Sequence, residues 1–71
     1  MNIHEVFEYA QDNEDGEVKF KPKNLSSEFK DVTFEVLDAH FGFAVYEGGE
    51  GFVSKHQFRQ IYGDSMKYEI V

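Results

Sequence analysis

Apolar residues at the start of the chain fall at Ile3, Val6, Phe7 and Ala10, the i, i+3, i+4, i+7 spacing of one helix face. Asn2 stands where an N-cap belongs, and Glu5 lies three residues on, where its carboxylate reaches back in a capping box. The pattern predicts a helix of about ten residues, ended by the turn-forming run Gln11 to Gly16. Val18 and Phe20 then alternate with Glu17, Lys19 and Lys21, a strand that Pro22 ends or confines to a sheet edge, with lysines suited to such an edge. Leu25 to Lys30 reads as a loop or a single helical turn.

A period of two returns at Val32, Phe34 and Val36, and Asp38-Ala39-His40 reverses the chain. The next strand carries Phe41, Phe43 and Val45 on one face and Gly42, Ala44 and Tyr46 on the other. With both faces apolar or small, it is expected in the sheet interior, its back covered by the first helix or by a second chain. Glu47 to Gly51 reads as a hinge, and Ser54 with Gln57 forms a second capping box. Phe58, Ile61 and Tyr62 form the expected buried stripe of a two-turn helix stopped by Gly63, and Met66, Tyr68 and Ile70 alternate as a last strand. The expected fold class is a single small α+β domain over residues 1–71: an antiparallel sheet of about four strands, an N-terminal helix, and a short helix before the last strand.

Composition sharpens this picture at the core. The chain has 71 residues and no cysteine, so neither a second domain nor a disulfide staple is expected. Its core has to come from eight Phe and four Tyr, each ring able to bury roughly 150–250 Å². Core packing is the first expectation for these rings. Any that do not fit belong in an exposed patch of the kind that partners and dimers use.

Charge narrows the partners. The net charge is −7, and it is segregated: Met1 to Glu17 has six acids and no Lys or Arg, while Asp31 to Val53 has five acids and no base. Such a surface repels phosphate and favours basic partners, which argues against direct nucleic-acid binding even though Phe41, Phe43 and Tyr46 have the character of base-stacking residues. The start, MNIHEVFEYAQ, carries neither a basic n-region nor a long apolar run, so no membrane span is expected and the cytoplasm is the expected compartment.

No pattern of residues carries a reaction. Asn13, Asp15, Gly16 and Val18 fit part of a calcium loop, but Gln11 and Pro22 occupy its first and twelfth positions, where carboxylates belong. Gly48-Gly49-Glu50-Gly51 matches no phosphate-binding fingerprint, and Glu50 opposes an anion. His4, His40 and His56 lack neighbours at metal-ligand spacing, and no nucleophile has a partner base. No cofactor, metal or catalytic residue is expected, and the chain reads as a non-enzyme.

The segment from Gly51 to Tyr62, GFVSKHQFRQIY, resembles the closing part of small proteins from tailed bacteriophages, in which a strand residue is followed by S-K-x-x-F-x-x-x-Y. The resemblance covers about a sixth of the chain. It implies a phage or prophage origin and a host cytoplasm, a setting in which short acidic proteins block host enzymes or defence systems by binding them. It transfers no functional residue, since the motif marks a fold element.

The expected function is therefore binding of a basic surface on a host protein, as an inhibitor or a mimic of nucleic acid, with Glu5, Glu8, Asp12, Glu47, Glu50 and Tyr46 as candidate partner-binding residues. The alternative is a small structural or assembly protein that forms a homo-oligomer through an aromatic surface.

Overall fold

The structure, a computed structural model, describes residues 1–13, 16–23, 32–46 and 51–71. The readings placed on Leu25 to Lys30 and on Glu47 to Glu50 lie outside these residues. The elements run α1 (Ile3–Asp12), β1 (Lys19–Pro22), β2 (Phe34–Asp38), β3 (Phe43–Tyr46), β4 (Phe52–Ser54), α2 (Lys55–Tyr62) and β5 (Tyr68–Ile70), an α+β fold.

The strands form one antiparallel sheet in the order β4-β3-β2-β1-β5. The first four strands are a meander, and α2 carries the chain back so that β5 pairs with the other side of β1. This return corrects the expectation that β1 is an edge strand. Its lysines lie inside the sheet, Lys21 opposite Glu69 and Lys19 opposite Glu35, so cross-strand pairing rather than edge protection accounts for them. Pro22 does end the strand, where its missing donor costs least.

Both helices begin as their sequences predict. In α1 the Asn2 side chain accepts from the Glu5 N–H and the Asn2 N–H donates to the Glu5 carboxylate, each at 2.9 Å. In α2 the Gln57 N–H donates to Ser54 Oγ at 3.2 Å and the Ser54 N–H donates to Gln57 Oε1 at 2.8 Å. The α1 stripe Ile3, Val6, Phe7 and Ala10 is buried throughout. In α2, Phe58 is buried and Tyr62 packs on the core, but Ile61 is 64% exposed. Successive helical residues are about 100° apart, so the narrow contact of a two-turn helix admits Tyr62 and turns Ile61 out.

One cluster of rings fills the space between helices and sheet. Phe20, in the middle of β1, meets Phe34 at 5.7 Å, Phe58 at 5.6 Å, Tyr68 at 5.7 Å and Phe7 at 6.2 Å between centroids. The registers Phe20↔Phe34, Val36↔Ala44 and Ala44↔Val53 put both residues of every second pair on this side of the sheet, under the helices.

Two differences from the expected strands bear on function. Phe52–Ser54 is a strand of its own, which raises the sheet to five strands. Phe41 is in a turn rather than a strand: the Asp38 carboxylate accepts from the His40 and Phe41 N–H groups, each at 3.0 Å, and holds the reversal open until Phe43. Gly42, at φ +75°, completes that turn. The close approach at Gly42 is by the Lys55 side chain of α2, and not by α1.

Candidate binding surfaces

Three of the candidate residues come together on α1. Glu5, Glu8 and Asp12 stand at i, i+3 and i+7, one stripe of the helix, and all three are exposed. The stripe spans about 10 Å of helix axis at 1.5 Å per residue. Glu5 has a structural duty as well, since its carboxylate closes the capping box. Glu8 and Asp12 are open to solvent, and α1 contains no Lys or Arg.

Tyr46 lies apart from this stripe. It ends β3, is 44% exposed, and sets its ring edge-on against Phe34 at 5.7 Å. Glu47 and Glu50 lie outside the described residues. Of the positions singled out for calcium, Asp15 lies outside the described residues, Gln11 is helical and donates to the Ala39 carbonyl, and the Asn13 amide donates to the Tyr9 carbonyl at 2.7 Å. Among the described residues no group of three His, Asp or Glu is placed to hold a metal ion.

The second surface is the side of the sheet that faces away from the helices. The register places Phe43, Val45 and Phe52 on it, with Phe43 and Phe52 in edge-to-face contact at 5.0 Å. Phe41, in the adjoining turn, is 76% exposed, Leu37, at the irregularity in β2, is 60% exposed, and Phe52 is 57% exposed. These values correct the expectation of core packing for Phe41 and, in part, for Phe43 and Tyr46. The buried member of β3 is Ala44, which belongs to the core beneath the helices. Farther along the same face, Lys21 pairs with Glu69 at 3.4 Å and Lys19 stands opposite Glu35.

The signal for this surface was present in the sequence as a surplus of rings. Five of the described aromatics, Phe7, Phe20, Phe34, Phe58 and Tyr68, already fill the core. An open groove of about 260 Å³ beside α1, between Ala10, Val18 and His40, has its Asp38 carboxylate tied into the turn. No helix of the described residues is long and apolar enough to cross a membrane.

Comparison with protein-family models, with curated proteins and with solved structures gave no match.

Proposed function

We propose that this chain is a non-enzymatic interaction protein that presents the acidic outer face of α1 to a basic surface on a protein partner. The observation that carries the reading is the stripe of Glu5, Glu8 and Asp12 on a helix without Lys or Arg, in a chain of net charge −7. Charge of one sign on one rigid face steers association with the opposite sign and repels nucleic acid itself. A phage or prophage origin would place the partner in a bacterial host, with the chain acting as an inhibitor.

Mimicry of nucleic acid is the finer form of this reading. Three carboxylates over about 10 Å are sparser than the phosphates of one DNA strand, which recur every ~3.4 Å along the axis, so mimicry calls on further acids such as Glu47 and Glu50. The test is capture of proteins from a bacterial lysate on the immobilised chain at low and high salt, with and without competing DNA. Glu8→Lys with Asp12→Lys leaves the Glu5 cap intact and is expected to reduce specific capture about tenfold. Capture that survives both high salt and this reversal overturns the acidic reading, and capture that DNA does not compete away overturns mimicry alone.

A further inference from the structure

The molecule has two sides of different character. We propose that the side of the sheet turned away from the helices is a self-association surface, and that its occupant is a second copy of this chain, packed sheet against sheet. This goes beyond the acidic reading and does not rest on it, since α1 covers the opposite side of the sheet.

Three observations select a second copy. The first is charge. On a chain of net −7, two copies repel wherever acids meet acids. The strand residues of this face carry Lys19, Lys21, Glu35 and Glu69, two of each sign in cross-strand opposition, so here two copies approach with little repulsion.

The second is area. At roughly 200 Å² a ring, Phe41 and Phe52 expose about 250 Å² between them, and Leu37, Phe43 and Val45 bring the apolar area to roughly 450 Å². A symmetric pair that also covers Phe41 in the adjoining turn and Leu37 at the β2 irregularity would bury this twice, roughly 900 Å², and the flanking Lys and Glu stems carry it past the ~1,000 Å² that a specific interface needs. The result is a modest dimer, with a dissociation constant of micromolar order.

The third is the shape of the alternatives. The edge strands β4 and β5 are three residues each, too short to offer an extended ladder for edge-to-edge growth. The Phe43–Phe52 pair, by contrast, is a preformed knob at the apolar end of the face. Face-to-face packing of two sheets also matches the usual ~10 Å sandwich of paired inner faces.

The experiment is molar mass by light scattering and sedimentation from about 1 µM to 1 mM, a range that brackets the expected constant. The parent chain is expected to move from monomer to dimer across it, more readily at high salt, because screening removes the net repulsion. Phe52→Glu is expected to hold the chain monomeric, with circular dichroism and melting of the monomer unchanged. Ile61→Glu alters an equally exposed apolar residue on α2 and is expected to leave the dimer intact. A parent chain that stays monomeric at 1 mM overturns the proposal. So does a dimer that Ile61→Glu dissolves and Phe52→Glu does not, or a mixed complex formed only with another protein.

Discussion

Tyr68 shows how a single residue ties the core to solution conditions. It is buried beside Phe20, Phe58 and Tyr62, and its hydroxyl has no partner among the described residues. Burial, with the Tyr62 hydroxyl adding to it, pushes its pKa well above the ordinary 10.0. Tyr62 is pushed up in the same way, by burial first and then by Tyr46. A raised pKa means that the folded state keeps its proton longer than the unfolded chain. The stabilisation is therefore complete below about pH 10 and is lost as pH rises toward the folded-state value. Alkaline titration followed by tyrosinate absorbance and circular dichroism is expected to show late ionisation that coincides with unfolding. Tyr68→Phe removes an unsatisfied buried group, so its melting temperature at neutral pH is expected to equal or exceed the parent's, with a smaller fall in alkali.

Two glycines separate backbone strain from crowding. Gly42 and Gly51 both have φ in the left-handed region, but a Cβ on Gly42 would stand 3.1 Å from Lys55 Cβ, and one on Gly51 would meet nothing within 4 Å. Both alanine variants are expected to lose about 1 kcal/mol for the conformation, and Gly42→Ala about 1 kcal/mol more for the contact. Urea titration of the two variants measures the difference.

At the scale of elements, the helices owe their ends to local chemistry and their existence to packing. A helix of eight residues does not persist alone in water, so α2 depends on Phe58 beneath it and on its cap. Ser54→Ala removes the Oγ that accepts from the Gln57 N–H, while the backbone N–H that donates to Gln57 Oε1 remains, and it is expected to cost about 1 kcal/mol, read as a lower urea midpoint with unchanged slope. The helix boundaries were legible because a cap is a relation between residues three apart. The Asn2 and Ser54 caps and the Ile3, Val6, Phe7, Ala10 stripe are local patterns of this kind. The outward turn of Ile61 was not legible, because it depends on how much sheet lies under α2. Nor was the strand at Phe52–Ser54, whose three residues are too few to show a period and become a strand by pairing with β3.

At the scale of the whole molecule, the two proposed surfaces lie on opposite sides of the sheet and answer to different physics. Salt weakens capture by the acidic stripe of α1 and strengthens pairing through the neutral apolar face, so one titration moves the two readouts in opposite directions. The placement of β1 explains the division. Because β5 returns to its outer side, the lysines of β1 are drawn into a balanced ladder with Glu35 and Glu69 while the acids of α1 are left unbalanced.

Of the candidate site, the stripe of Glu5, Glu8 and Asp12 was readable from helical spacing, and Tyr46 proved to stand apart from it. The sequence by itself determined the α+β class, the two capped helices, the alternating strands and the surplus of aromatic rings, since each depends on residues a few positions apart. Only the tertiary structure decided the strand order, the interior position of β1 and which rings stay outside. Those depend on one core, already full with Phe7, Phe20, Phe34, Phe58 and Tyr68, which leaves Phe41 and Phe52 to the surface.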